Sequence, residues 1–284
     1  MKEVFIHIGL TKTGSSFLQN EIFQKNSKVN YLGKWKGNYP DWLIKLSYLD
    51  EISFENNFEQ LSTEIRGKLS NKKPNLISSE SFSRVGGVSL SQAQRIKKVF
   101  PDAKIIIVLR HPISHLKSFY KYSVENFGFW RSLEDSIDWV RTPLVFFRRN
   151  PFSITDYYYD ELLSVYYKTF GRENICVLKY ETLLKDPAIF FERLSGFINC
   201  DWSIENYVEK QKNTNVNVSP CDKDIAMLRA DNFMKIFGSE VPSLPEIEVV
   251  AKRVIEEFSH QEVLSEKLVK KIESHLKGRC YGYI

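Results

Sequence analysis

The N-terminal segment of the chain combines a short apolar strand, a loop bounded by glycines and the start of a helix. Residues 4–8 are mostly apolar and predict a buried strand, Gly9 and Gly14 bound the loop, and an apolar helix face begins at Leu18. The first turn of a helix exposes backbone N–H groups without partners and carries a partial positive charge. Lys12 adds a cation, so the loop predicts an anion site suited to a phosphate group.

A second anion site is predicted at the end of a different strand. Residues 104–109 form a continuous apolar run, typical of a buried parallel strand, and Arg110 follows it directly. Pro112 suits the first turn of a helix, because its missing N–H would have no partner there. The planar guanidinium of arginine binds phosphate oxygens in pairs. Arg110 is therefore a candidate for binding a second phosphate.

Apolar strands alternate with amphipathic helices along the chain. Strands are predicted at 3–8, 75–79, 104–109 and 174–179, and helices at 14–25, 40–49, 57–70, 90–100, 112–125, 156–170, 187–198, 222–235, 246–258 and 262–276. Strands joined through helices form a parallel sheet, which binds ligands at the carboxyl ends of its strands. We predict an α/β fold with a central parallel sheet flanked by helices, in one domain spanning residues 1–284. Residues 126–155 are predicted to be an insertion that serves as a lid or acceptor groove.

Composition narrows the possible functions. The chain has 284 residues, a net charge of +5 and 43% hydrophobic residues, enough for a substantial core. Its basic residues form no dense patch, which argues against nucleic-acid binding. No apolar run is long enough for a transmembrane segment, and the N-terminus does not read as a signal peptide; peripheral membrane contact stays open. The cysteines are too far apart for metal-ligand pairs, so we predict no metal and reduced thiols in a cytoplasmic protein: Cys176, Cys200, Cys221 and Cys280.

The position of the lysine distinguishes between kinds of nucleotide. A nucleoside-triphosphate P-loop places lysine directly after its second glycine. Here Ser15 follows Gly14, and Lys12 lies inside the loop. The run K-T-G-S-S-F instead resembles the 5′-phosphosulfate loop of sulfotransferases that use 3′-phosphoadenosine 5′-phosphosulfate (PAPS). The resemblance implies a three-layer, P-loop-like fold and a cofactor site formed by Lys12, Thr13, Gly14, Ser15, Ser16 and Phe17, with the ring of Phe17 on the adenine.

Two further segments carry the same resemblance. The family places an arginine at a strand end and a serine eight residues later on the 3′-phosphate, which here implies Arg110 and Ser118. Sulfotransferases also carry a Tyr-Glu pair after a later strand, which implies that Tyr180 approaches the adenine. The resemblance ends near residue 200. Cytosolic members have an Arg-Lys-Gly loop near the C-terminus that this chain lacks, and the possible substitutes lie in the polar segment 210–220: Lys212, Asn213 and Asn215.

Sulfuryl transfer requires a base for the acceptor and a positive charge for the leaving group. Lys12 is predicted to stabilise the charge that develops on the leaving phosphate oxygen. Glu80 lies at the carboxyl end of the strand predicted near 75–79 and is the predicted general base, with helix capping or pairing with Arg84 as its alternative roles. His111 is the next candidate base, whereas His7 is predicted to be a core residue.

The resemblance also bears on the acceptor. Golgi glycan sulfotransferases use a glutamate as base, and cytosolic phenol and steroid enzymes use a histidine, so Glu80 implies a carbohydrate or glycolipid acceptor. A lipid, a small metabolite or a protein tyrosine remains open. Two other functions also remain: a P-loop kinase of small molecules that uses ATP and Mg²⁺, and a nucleotide-binding protein without chemistry.

Overall fold

The computed structural model describes residues 2–34, 38–83, 88–139, 152–202, 220–237, 263–280 and 282. Within these ranges, strands β1 to β7 are Val4–His7, Asn30–Tyr31, Asn75–Ser78, Lys104–Leu109, Ile137–Asp138, Phe152–Ser153 and Ile175–Lys179. Helices α1 to α10 are Ser15–Phe17, Asp41–Tyr48, Glu51–Lys68, Val88–Val99, Pro112–Phe127, Tyr159–Phe170, Tyr180–Lys185, Pro187–Ile198, Asp222–Phe237 and Glu266–Leu276. Helix α1 continues directly into a π-helical segment, Leu18–Phe23.

The chain divides into two compact units. The first comprises Met1–His111 and Tyr159–Thr214, and the second comprises Pro112–Tyr158 and Asn215–Ile284. The predicted insertion, residues 126–155, falls entirely within the range of the second unit. The single-domain arrangement and the lid remain predictions. The predicted features that lie outside the described residues are Arg84, residues 140–151 of the insertion, the helix at 246–258, and Lys212, Asn213 and Asn215.

The first unit is built on a five-stranded sheet in the order β2-β3-β1-β4-β7, and every pair of neighbouring strands is parallel. In this register Ile6 of β1 lies between Ile77 of β3 and Ile105 of β4. Strand β1 is thus central, and the chain continues to β3 on one side and to β4 on the other. Such a switch point opens a crevice at the carboxyl ends of the strands. The predicted α/β fold with a central parallel sheet is confirmed.

The strands are buried because helices cover both faces of the sheet, which accounts for the apolar runs in the sequence. Residues 105–109 of β4 are each 0% exposed. One hydrophobic cluster joins Phe5 of β1, Phe23 of the π-helical segment and Phe191 of α8. This packing fixes the helix that follows the first loop against the sheet.

Capping residues explain where two helices begin. Helix α3 begins at Glu51, earlier than the predicted start at 57, because Asp50 caps it: Asp50 Oδ1 accepts a hydrogen bond from the Ser53 N–H at 2.9 Å. Helix α8 begins at Pro187, as predicted. Asp186 caps it by accepting from the Ile189 N–H at 3.3 Å.

The second unit contains α5, the short parallel pair β5–β6, α9 and α10. Its hydrophobic cluster includes Tyr120 of α5, Phe152 of β6 and Ile272 of α10. Asp222, at the start of α9, pairs with Lys117 at 3.0 Å and Lys121 at 2.7 Å, which joins α9 to α5. No helix in the described part of the chain is both long and apolar enough to cross a membrane.

Candidate active site

The loop between β1 and α1 is folded around one carbonyl group. The Leu10 carbonyl accepts hydrogen bonds from Thr13 Oγ1 at 2.6 Å and from Ser15 Oγ at 2.9 Å. The loop then turns through two left-handed residues, Lys12 with φ 62° and Gly14 with φ 84°. A left-handed backbone costs a residue with a Cβ roughly 1–2 kcal/mol. The hydrogen bonds to Leu10 hold Lys12 in this conformation.

These internal bonds decide which loop groups can bind a ligand. The buried Thr13 hydroxyl donates to Leu10, so Thr13 offers a ligand its backbone N–H rather than its side chain. Ser16 is exposed, and its hydroxyl has no partner among the described residues. The first N–H groups of α1 have no acceptor within the helix. Together with the Lys12 ammonium, they form a set of donors suited to an anion.

Both loop glycines sit where a side chain would collide. A Cβ on Gly14 would lie 3.2 Å from the ring of Tyr180, in a left-handed conformation that side chains rarely adopt. A Cβ on Gly9 would lie 2.7 Å from Ser15 Oγ and 2.8 Å from His7 Cε1. The glycines therefore let Tyr180 and His7 pack directly against the loop backbone.

Arg110, at the end of β4, reaches the same loop. Its Nη1 donates to the Lys12 carbonyl at 2.8 Å, and its guanidinium carbon lies 4.7 Å from the centre of the Tyr180 ring. The Arg110 carbonyl accepts from the Tyr159 hydroxyl at 2.8 Å. Arg110 Nε is buried and has no partner among the described residues. A buried guanidinium donor without a partner is costly unless a ligand accepts from it.

The remaining predicted residues are placed as follows. Phe17 is half-buried and packs against the hydrophobic cluster of the first unit. The turn after Arg110 is fixed by Glu181, whose Oε1 accepts from the His111 N–H at 2.9 Å. Ser118 lies in α5 and is 7% exposed, in the second unit. Its contact with a 3′-phosphate stays a prediction.

Glu80 begins a 3-10 turn, Glu80–Ser83, just after β3. The Ser83 hydroxyl donates to the Gly9 carbonyl at 2.6 Å and lies 2.9 Å from the Glu80 carbonyl. This one hydroxyl links the turn that carries Glu80 to the start of the loop after β1. Glu80 is therefore held beside the loop that carries Lys12, as the parallel sheet predicts.

The environment of Glu80 adjusts its basicity. Burial raises the pKa of the Glu80 carboxyl above its usual value. The Ser15 hydroxyl, whose one proton is shared between Glu80 and the Leu10 carbonyl, and the charges of Lys34 and Lys12 lower that pKa; the net effect is an increase. A higher pKa makes a carboxylate a stronger base at neutral pH. Glu80 thus combines an ionisable carboxyl of increased basicity with two nearby cations.

Sequence reasoning missed the residues on the other side of Glu80. The Lys34 ammonium lies 5.6 Å from the centre of the Tyr39 ring. Burial and the nearby charge of Glu80 raise the pKa of Tyr39, whose hydroxyl interacts with the Gln19 side chain and the Glu80 backbone. No motif could have indicated these residues, since tertiary packing alone brings them to Glu80.

The described residues contain no group of three or more His, Cys, Asp or Glu side chains that could hold a metal ion.

Residues 87–203 match the model of the sulfotransferase family. Over this segment, which is less than half of its length, the chain is similar to the sulfotransferase family. The matched segment includes Arg110, Ser118 and Tyr180, whereas Lys12 and Glu80 precede it. The roles of individual residues remain predictions.

Solved sulfotransferases share its fold. A sulfotransferase from Alicyclobacillus acidocaldarius is 16% identical, with a TM-score of 0.50, over 92% of this chain and 97% of that one. Mouse sulfotransferase SULT7A1, solved with 3′-phosphoadenosine 5′-phosphate (PAP), is 10% identical with the same TM-score, over 99% of this chain and 84% of that one. The predicted P-loop-like fold is thereby confirmed. No curated protein matches the sequence significantly.

Proposed function

We propose that this chain is a PAPS-dependent sulfotransferase that transfers a sulfuryl group to a hydroxyl or amine of a carbohydrate or glycolipid. The observation that carries the proposal is the meeting of three strand ends at one loop. Arg110 donates to the Lys12 carbonyl, and Ser83 links the turn of Glu80 to Gly9. The family supports the reaction class, and PAP in the mouse relative supports the nucleotide.

The residues present fit this nucleotide. The buried Nε of Arg110 lacks a partner among the described residues, and phosphate oxygens are suitable acceptors for it. When bound, PAPS supplies the sulfuryl group. In this proposal the 5′-phosphosulfate is held by Lys12 and the donors of residues 13–16, the 3′-phosphate by Arg110 and Ser118, and the adenine by Phe17 and Tyr180.

Glu80 and Lys12 have separate tasks in the proposed reaction. Glu80 takes the proton of the acceptor hydroxyl as the acceptor oxygen bonds to sulfur, and its raised pKa favours this transfer. Lys12 stabilises the negative charge that develops on the phosphate oxygen as its bond to sulfur breaks. Proton removal and charge stabilisation thus take place at the ends of two neighbouring strands, β3 and β1.

The acceptor class rests on the surroundings of the base. The aromatic ring of Tyr39 and the ammonium of Lys34 lie next to Glu80, and this combination suits stacking on a sugar and binding of its polar groups. We also place the reaction in the cytoplasm. That proposal is supported by the cysteines, all four of which are free thiols.

Calorimetric titration tests the nucleotide. PAP, ADP and ATP are each titrated into the purified protein with and without Mg²⁺. We expect PAP to bind with a Kd of about 1 μM, corresponding to about −8 kcal/mol, whether or not Mg²⁺ is present. Preference for ATP with Mg²⁺ would instead support the small-molecule kinase.

An acceptor screen tests the second half of the proposal. The protein is incubated with ³⁵S-labelled PAPS and neutral oligosaccharides, acidic oligosaccharides, glycolipids, phenols or tyrosyl peptides. Label in the first three classes supports the proposed acceptor. Label confined to phenols or peptides would contradict it while leaving the sulfotransferase activity in place.

Arg110→Ala is expected to weaken PAP binding by about tenfold to a hundredfold, since it removes charge-assisted hydrogen bonds. Binding of adenosine 5′-phosphate, which lacks the 3′-phosphate, should change far less. Arg172→Ala is a matched control, because Arg172 lies 4.8 Å above the Tyr167 ring much as Arg110 lies above Tyr180. Equal losses for the two nucleotides would show that Arg110 does not recognise the 3′-phosphate.

Ser15→Ala is expected to shift the acidic limb of the pH–rate profile to higher pH. The hydrogen bond from Ser15 favours the ionised form of Glu80 and lowers the pKa of its carboxyl, so its loss raises that pKa and protonates the base at higher pH. The measurement is kcat/KM against pH for the variant and for Ser62→Ala, a buried serine of α3. An unchanged limb would show that Glu80 does not titrate as the base.

A further inference from the structure

His7 is a buried titratable residue for which the proposed reaction has no use. It ends β1, two residues before Gly9, and is 0% exposed. Its ring lies against Phe23, with the ring centres 5.4 Å apart, and burial lowers the pKa of His7 to about 3. The ring is therefore neutral at physiological pH and carries one proton, on one of its two nitrogens.

A chain of hydrogen bonds favours one of these nitrogens. Ser78 Oγ lies 3.0 Å from Gln19 Nε2, which donates to it, and 2.8 Å from His7 Nδ1. A serine oxygen has two lone pairs, so Ser78 can accept from Gln19 and from a His7 Nδ1–H together. His7 Nε2 is buried and has no partner among the described residues. A ring proton on Nδ1 therefore forms a hydrogen bond, whereas a proton on Nε2 would be a buried N–H without a partner, which is the costlier arrangement.

The chain joins three segments that carry the proposed catalytic parts. His7 precedes the loop that carries Lys12, and Ser78 precedes Glu80 by two residues. Gln19 lies in the helical segment that follows the loop, and its side chain also interacts with the Tyr39 hydroxyl beside Glu80. Gly9 rests on the Nε2 side of the His7 ring, where a Cβ would come within 3.2 Å of Nε2.

We propose that His7 is a positioning residue: through the His7–Ser78–Gln19 chain it sets the spacing between the loop at residues 9–15 and Glu80. His7 contacts neither substrate; its ring is held by Ser78 through Nδ1 and packs against Gly9 on its Nε2 side. The claim that His7 positions a base rests on the proposed function. The tautomer of His7 and the packing of the loop against its ring do not depend on that function.

The tautomer is tested by ¹⁵N–¹H NMR of the labelled protein, with the His7 signals assigned by comparison with the His7→Asn variant. We expect His7 to carry its proton on Nδ1 and to remain neutral from about pH 5 to about pH 8, where an ordinary histidine titrates. A proton on Nε2, or a titration within that range, would overturn the proposal whatever ligand the protein binds.

Positioning is tested with Ser78→Ala, which removes one oxygen from the centre of the chain. Ser62→Ala is its matched control, because Ser62 Oγ is also buried but has no partner among the described residues. We expect faster amide hydrogen exchange across residues 9–16 and about fivefold to tenfold weaker PAP binding in Ser78→Ala, and neither change in Ser62→Ala. Gln19→Met breaks the chain from the helix side and should accelerate the same exchange.

The readouts separate this inference from the proposed function. A wild-type protein that does not bind PAP would refute the proposed cofactor, while the tautomer and the exchange of residues 9–16 would still decide the role of His7. Exchange in Ser78→Ala equal to that in Ser62→Ala would refute positioning even if PAP binds tightly.

Discussion

Glu80→Gln is expected to reduce sulfuryl transfer by about 10²–10⁴-fold, the usual contribution of a general base, while PAP affinity stays within about twofold of wild type. The amide keeps the size of the carboxyl group but cannot take the acceptor proton. The measurements are the transfer rate with ³⁵S-labelled PAPS at saturating acceptor, and PAP titration of the same preparation.

Another glutamate of the first unit provides the control for Glu80. Glu173→Gln removes an exposed carboxylate from the same unit and should leave the rate unchanged. A Glu80→Gln variant with a near-normal rate would show that another group is the base, and His111, in the turn after β4, would be the next residue to change.

Lys12→Met is expected to reduce the transfer rate by about 10²-fold or more, with a loss of PAP affinity of less than about tenfold. Methionine keeps much of the shape of the lysine stem and the backbone carbonyl to which Arg110 donates, but it has no charge. The charge matters most in the transition state, when the bond between sulfur and the phosphate oxygen breaks. Single-turnover kinetics with a fixed acceptor measures this step.

Lys34→Met is the matched control, because the charges of Lys34 and Lys12 both lower the pKa of Glu80. If Lys12 acted merely through Glu80, the two variants would lose similar amounts of activity. We expect the Lys34 variant to retain a rate within about tenfold of wild type. Equal losses would remove the proposed role of Lys12 at the leaving group.

The parts of the site that the sequence predicted are local. The spacing of Gly9, Lys12 and Gly14 is contained in one short segment, and Arg110 directly follows an apolar run, so the sequence carries both signals. In a parallel sheet the carboxyl ends of all strands lie at one edge, so residues that follow neighbouring strands are expected to lie close together. For this reason the meeting of Lys12, Arg110 and Glu80 at one edge followed from the predicted order of strands and helices.

The parts that the sequence did not predict depend on tertiary packing. Lys34 and Tyr39 follow β2 in the chain and interact with Glu80. Strand β2 lies at the edge of the sheet and has only two residues, so the sequence contains no apolar run that would predict it. The Thr13 hydroxyl donates to the Leu10 carbonyl and not to a ligand. The sequence does not show which of these two acceptors the hydroxyl binds. Helix α3 begins early because of one capping side chain, Asp50, within a polar segment.

The left-handed backbone of Lys12 lowers the stability of the loop at the position where the proposed reaction needs a cation. Glycine adopts φ 62° without penalty, so Lys12→Gly would relieve local strain of roughly 1 kcal/mol while removing the cation proposed to stabilise the leaving group. A selection for thermal stability alone would therefore favour a protein with a more relaxed loop and little turnover. Any effort to stabilise this protein for industrial use would have to leave position 12 unchanged and make its gains elsewhere.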